Sequence, residues 1–189
     1  MSYDLIEALL SDADDRMKKA VANASEKLGT VRTGRASPAL LERVTVDYYG
    51  TPTPINQTAN IAATEARLLT VSPYDKSSLQ AIEKAISESD LGLTPNNDGN
   101  VIRIQIPELT EERRKDMVKQ VRQLAEEGRI AIRNIRRDVM HEMKELRTGG
   151  DVGEDEEKRG EDALQKLTDS HVGEVDSQLE HKEADLLEV

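Results

Sequence analysis

Residues 110–150 read TEERRKDMVKQVRQLAEEGRIAIRNIRRDVMHEMKELRTGG. Met117, Val121, Leu124, Gly128, Ile132, Ile135, Val139, Met143 and Leu146 recur at steps of three and four, so one face of a 3.6-residue helix is apolar or small along its whole length. Thr110 is a good N-cap, and Glu111 and Glu112 suit the positive end of the helix dipole. Gly149-Gly150 supplies the stop. A helix of this length cannot bury such a stripe by itself, so the stretch asks for partner helices.

The sequence offers two. Upstream, Leu10, Ala13, Met17, Ala20, Ala24, Leu28 and Val31 keep the same spacing, widened by Leu5, Ile6, Leu9 and Val21. This predicts a helix from about Ser2 to Val31, ending at Thr33-Gly34. Downstream, after Asp151-Val152-Gly153, the series Leu164, Leu167, His171, Val175, Leu179 and Leu186 predicts a third. At 1.5 Å per residue the three would be ~45–57 Å long. A long antiparallel three-helix bundle is the simplest arrangement, with interchain coiled coils as the alternative. The short link between the second and third helices favours the bundle.

All six prolines, Pro38, Pro52, Pro54, Pro73, Pro95 and Pro107, fall between residues 32 and 107. Proline disrupts helix interiors, so this segment is a different kind of structure. Val44–Tyr49 reads as a strand running into a turn at Gly50–Pro54. Arg67–Ser72 and Val101–Ile106 are further strands, Lys76–Ser89 a short helix, and Asn96–Gly99 a turn. The expected class is α+β: a discontinuous bundle from residues 1–31 and 108–189, with a small β/α/β domain inserted over 32–107. Both ends of the insert return to the bundle, at Thr33-Gly34-Arg35 and at Pro107, and two such connections can bend together as a hinge.

Composition excludes much. The chain of 189 residues has no Cys, Phe or Trp and a net charge of −11. Disulfides, thiolate nucleophiles and Cys-ligated metals are therefore absent. No apolar run is long enough to span a membrane. The opening Met1-Ser2-Tyr3-Asp4 lacks the basic and apolar regions of a signal peptide, so a cytoplasmic protein is expected, as a monomer. His141, His171 and His181 have no partners at metal or triad spacing, and His171 sits on an apolar series as a core or boundary residue. There is no phosphate-binding glycine loop. No metal, no cofactor and no enzymatic activity are expected.

Charge is unevenly placed. Residues 149–189 hold fourteen acids and four bases, which accounts for nearly all the net charge. Residues 110–148 hold eleven bases and eight acids. From Gly128 to Arg137 there are four arginines, Arg129, Arg133, Arg136 and Arg137, and no acid. On a helical wheel, Lys115, Arg122, Arg129, Arg133 and Arg136 fall within about 60° of one another, interrupted by Glu126, and about 110° from the apolar centre. That predicts an exposed arginine stripe. A solvated face with ion pairs such as Arg122 with Glu126 is the bland alternative. Arginine in place of lysine at all four positions, and the lack of acid among them, favour phosphate binding. With so few aromatics, structured RNA recognised by its backbone is the expected target.

Several segments resemble the ribosome recycling factor family: Arg32-Thr33-Gly34-Arg35-Ala36-Ser37-Pro38, Tyr48-Tyr49-Gly50-Thr51-Pro52-Thr53-Pro54, Ser89-Asp90-Leu91-Gly92-Leu93, Leu109–Lys115 and Arg129–Asp138. The resemblance runs in order along nearly the whole chain. It implies an L-shaped molecule of roughly transfer-RNA outline that binds the large subunit of the post-termination ribosome. With elongation factor G and its GTP, such a factor splits the ribosome into subunits and hydrolyses nothing itself. It further implies that Arg129, Arg133 and Arg136 face ribosomal RNA, that Arg32 adds a basic contact near the joint, and that Gly34, Arg35 and Pro107 belong to the hinge. Two departures stand out, the glycine-rich loop Gly149–Gly153 and the acidity of the last helix. That acidity is expected to limit non-specific RNA binding. Two other functional classes compete: a helical adaptor that would ignore ribosomes, and an RNA chaperone that would bind many RNAs with little preference.

Overall fold

The computed structural model describes residues 2–187. The chain forms two compact units, one of residues up to Arg32 together with those from Glu111 onward, the other of Thr33–Thr110. The divisions fall slightly later in the chain than proline placement alone puts them, because Glu108 and Leu109 are engaged by the inserted unit, as described below.

The first unit is three helices: α1 (Ser2–Gly29), α4 (Glu111–Gly149) and α5 (Glu154–Leu187). Each packs on both others. Cross-helix pairs fix the directions. Arg16 meets Asp138 and Lys27 meets Glu127, so α4 runs opposite to α1. Arg129 meets Asp176 and Arg147 meets Glu157, so α5 runs opposite to α4 and parallel to α1. Ala13, Met17, Ala125, Ile132, Val139, Met143, Leu164 and Val175 are fully buried between them. Leu10, Leu124, Ile135, Leu146, Leu167 and Leu179, also on the apolar series, are half-buried at its margins.

Two glycines sit where the neighbouring helix leaves no room for a Cβ. A Cβ on Gly128 would lie 2.9 Å from the Ala24 Cβ, and one on Gly160 would lie 2.8 Å from the Ile6 Cγ2. The α4–α5 turn is closed by Gly150, at φ +84°, with N–H bonds from Asp151 to the Leu146 carbonyl (2.9 Å) and from Gly150 to the Arg147 carbonyl (3.0 Å). This is the left-handed C-terminal cap expected of a Gly-Gly ending. His171 is buried at the α1–α5 contact, where its Nε2 donates to Asp14 at 2.8 Å and its Nδ1 faces Glu174 at 2.9 Å without hydrogen-bond geometry. It is a core staple, as its place on the apolar series predicts. No helix among the described residues is long and apolar enough to cross a membrane.

The inserted unit holds a hairpin of β1 (Thr45–Tyr48) and β2 (Thr51–Pro54), one helical turn α2 (Ile55–Thr58), and an antiparallel sheet ordered β3-β4-β6-β5 (β3 Ala59–Glu65, β4 Leu68–Pro73, β5 Pro95–Asn97, β6 Ile102–Gln105). Alternation places Leu69 and Val71 of β4 opposite Ile104 and Ile102 of β6, all fully buried. Helix α3 (Leu79–Glu88) presents Leu79, Ile82 and Ile86 to the same apolar cluster, which Val46, Ile55 and Leu41 complete. Thr51–Pro54 is a paired strand instead of the expected turn. The turn is Tyr49-Gly50, both at positive φ, and the prolines are tolerated because β2 is an edge.

Both chain segments that leave this unit are tied to one turn between β3 and β4. The Ala36 N–H donates to the Ala66 carbonyl (2.7 Å), and the Ile106 N–H donates to the Arg67 carbonyl (2.8 Å). Arg67 also pairs with Glu108 at 3.0 Å. Gly34, at φ +76°, lies so close to Leu109 that a Cβ there would be 3.1 Å from the leucine Cγ. Thr33, Gly34 and Arg35 are half-buried and Pro107 is exposed.

Candidate nucleic-acid interface

The arginines of α4 from Arg122 to Arg137 sort into two lines. Arg122, Arg129 and Arg136 stand seven residues apart, which on a helix packed against a neighbour keeps them on one seam. That seam faces α5. Arg122 donates through Nε to Glu183, Arg129 donates through Nε to Asp176 at 2.7 Å, and Arg136 donates through Nη1 to Gln165. The second line, Glu126, Ile130, Arg133 and Arg137, is turned toward solvent. Arg133 keeps 51% of its side chain exposed, and Ile130 is an exposed apolar residue beside it.

The expected uniform exposure of the stripe therefore needs correcting. Arg122, Arg133 and Arg137 are exposed, but Arg129 retains only 18% side-chain exposure and Arg136 is half-buried with its Nε enclosed and unbonded. The wheel places these residues correctly relative to the centre of the apolar face. It cannot show that the flank of α5 reaches over one edge of the stripe.

The ion pairs also differ from the simple helical expectation. Glu126 does not pair with Arg122. One carboxylate oxygen accepts from Arg129 Nη1 at 2.8 Å and the other from Arg133 Nη1 at 3.3 Å. Arg129, ahead of Arg133, holds the Glu126 carboxyl below the usual carboxylate range. Burial disfavours the Arg129 charge, but Glu126 and Asp176 outweigh it and hold the guanidinium above its ordinary value. The other acids flanking the arginine run are drawn off to α1, Glu127 by Lys27 at 3.4 Å and Asp138 by Arg16 at 3.1 Å. The outward surface from Ile130 to Arg137 is thus left cationic.

Arg32 is exposed at the end of the bundle unit, in a different part of the sequence from α4. His141 and His181 are exposed and engaged within their own helices, by Glu145 and by the Ser177 carbonyl. Among the described residues no group of three His, Asp or Glu side chains is arranged to hold a metal ion. Asp176, Glu183 and Gln165 were not legible as members of this surface. Their only signal is the seven-residue spacing of their partners, which becomes readable once α5 is known to run antiparallel.

Comparison with known proteins supports one family throughout. The family model described as Ribosome recycling factor matches residues 24–187. The Ribosome-recycling factor of Rubrobacter xylanophilus is 54% identical over 180 residues, which cover 95% of this chain and 97% of that protein. That of Syntrophomonas wolfei is 53% identical over 185 residues, covering 98% of this chain and 100% of that protein. A solution structure of the ribosome recycling factor superposes with a TM-score of 0.77 at 40% identity, covering 97% of this chain and 98% of that one. A second similar structure, with a TM-score of 0.67 at 47% identity and coverage of 96% and 98%, is the T. thermophilus ribosome recycling factor described with E. coli elongation factor G on the E. coli post-termination complex.

Proposed function

Because the chain belongs to the ribosome recycling factor family, we propose that it binds the large subunit of the post-termination ribosome and, with elongation factor G and GTP, splits the ribosome into subunits. Messenger RNA and deacylated transfer RNA can then leave. The factor works in the cytoplasm as a monomer, catalyses no reaction and needs no metal or cofactor of its own. GTP is handled by the partner.

The observation that carries the proposed RNA contact is the outward line of α4. Arg133 and Arg137 offer planar guanidinium groups beside exposed Ile130, while the flanking acids Glu127 and Asp138 are held by α1. Arg122, Arg129 and Arg136 form its α5-facing edge, and Arg32 adds a cation at the end of α1. If about four phosphates are contacted, the log–log salt dependence of binding should have a slope of roughly −3.

Splitting needs a stiff part that holds the ribosome and a second part that takes the push. Three mutually packed helices supply the first. The two crossings, next to Thr33-Gly34-Arg35 and just beyond Pro107, supply the joint, since two strands of chain limit twist while allowing bending. Ala66 and Arg67 gather both crossings at one turn, which favours their moving together.

The test is a subunit-splitting assay with purified post-termination ribosomes, with and without elongation factor G and GTP. Arg133→Glu should weaken large-subunit binding by at least tenfold and leave helical circular dichroism unchanged. Native affinity in the folded variant would remove the assigned face.

A further inference from the structure

Glu126 is the one acid on the outward line of α4, and its placement is built. Arg129, mostly covered in the seam, holds one Glu126 oxygen at 2.8 Å while Asp176 fixes the same guanidinium from α5 at 2.7 Å. The second oxygen is thereby aimed at Arg133, at 3.3 Å, with half of each side chain still open to solvent. The four charges Glu126, Arg129, Arg133 and Asp176 sum to zero. A phosphate gains little long-range attraction from this group, and on reaching Arg133 it must displace a carboxylate already seated there.

We propose that Glu126 is a specificity-determining residue of the RNA-binding face, an internal stand-in for phosphate that Arg133 exchanges for RNA. Arg129 and Asp176 are its positioning residues and are not themselves phosphate ligands. This rests on the assignment of the outward line to RNA. Once displaced, the Glu126 carboxylate is left facing the bound strand and can only accept hydrogen bonds. A ligand that presents bare phosphates repels it. A ligand that brings a donor beside the phosphate, a ribose 2′-hydroxyl or a base amine, satisfies it. One residue thus penalises indiscriminate backbone binding and spares a structured site that offers both groups.

The experiment is a double-mutant cycle of Glu126→Gln and Arg133→Gln, with Glu180→Gln, an exposed acid of α5 outside this ion-pair group, as a control that changes net charge equally. Two probes are used: isolated large ribosomal subunits and a random-sequence RNA duplex of twenty base pairs. Glu126→Gln should tighten duplex binding ~3–10-fold, with a salt slope steeper by about 0.7–0.9, and should tighten large-subunit binding less. Glu180→Gln should change duplex binding by less than half as much on a logarithmic scale. In the Arg133→Gln background the effect of Glu126→Gln should fall to that of the charge control. An equal effect in both backgrounds, or weaker duplex binding by Glu126→Gln, would overturn the inference. If Arg133→Gln alone changes binding to neither probe, the assignment of this face to RNA fails instead. Circular dichroism melts of all variants report any loss of fold, and Glu180→Gln matching Glu126→Gln would also count against the exchange.

Discussion

Gly128 faces Ala24 across the α1–α4 contact with no room for a side chain, and adding a single methyl group there tests how the helix is seated. The new Cβ would be 2.9 Å from the Ala24 Cβ, while Val175 Cγ1 and Cγ2 would be at 3.6 and 3.8 Å. Carbon atoms prefer about 3.5–4.0 Å, so the Ala24 contact falls short by roughly 0.6–1.1 Å. Ala24 has no rotamer with which to retreat, and relief requires moving one helix backbone. Overpacking of this kind costs about 1–3 kcal/mol, against roughly 1 kcal/mol gained from the better helix propensity of alanine. Gly128→Ala should therefore lose about 1 kcal/mol net and lower the Tm by ~2–4 °C. Gly160→Ala is the companion case. Its Cβ would meet Ile6 Cγ2 at 2.8 Å and Met143 Sδ at 3.2 Å; the methionine end can turn away, but Cγ2 is the branch methyl of a helical isoleucine with essentially one χ1 rotamer, so this variant should also be destabilised, by about 1 kcal/mol net. Thermal and denaturant unfolding of both variants, and of Gly128→Ala combined with Ala24→Gly, decide the matter. The double variant moves the methyl from one helix to its neighbour and should recover about 1–3 kcal/mol of coupling. Additive effects in that pair, or no loss of stability in Gly128→Ala, would refute the packing argument.

The remaining predictions concern charge and the bundle interior. Asp98 accepts N–H bonds from Val101 and Asn100 and pairs with Arg103, in that order of effect, which holds its carboxyl down to about 2 against an ordinary 3.8. A depressed carboxyl stabilises the fold above its unfolded value and stops doing so as pH falls through the folded one. The stability difference between the parent and Asp98→Asn, read from denaturant midpoints, should accordingly be constant near neutrality and shrink between pH 4 and 2. His171→Ala removes a buried ring and its bond to Asp14, and should cost about 2–3 kcal/mol by urea unfolding. A loss under 0.5 kcal/mol would show that α1 and α5 do not depend on that staple.

The helices were legible because each is long enough for its period to be counted several times over. Buried Met117, Val121, Gly128, Ile132, Val139 and Met143 all stand on the series the spacing picks out. The inserted unit was harder. β3 runs Ala59–Glu65 with Ile61 as its single large apolar residue, because as an edge strand it needs little side-chain burial and is held by backbone pairing to β4. β2 carries two prolines for the same reason. At the candidate interface, the residue types and the face were readable from α4 alone. Which arginines were free to meet a ligand was not. Arg133 and Arg129 are four residues apart on one helix, and what separates them is Asp176, forty-seven residues further along the chain.

The insertion of one unit within the other has a consequence for how the chain is made. About 80 residues separate the end of α1 from the start of α4, which at roughly 5–20 residues per second is ~4–16 s of synthesis. During that interval the inserted unit can close on itself, since its sheet and α3 are contiguous in sequence. α1 meanwhile waits with Ala13, Met17 and Ala24 uncovered, and it has its full set of partners only when both later helices have emerged. The bundle is the last part of the molecule to form, and the nascent protein carries an unpaired amphipathic helix until translation of its own message is nearly over.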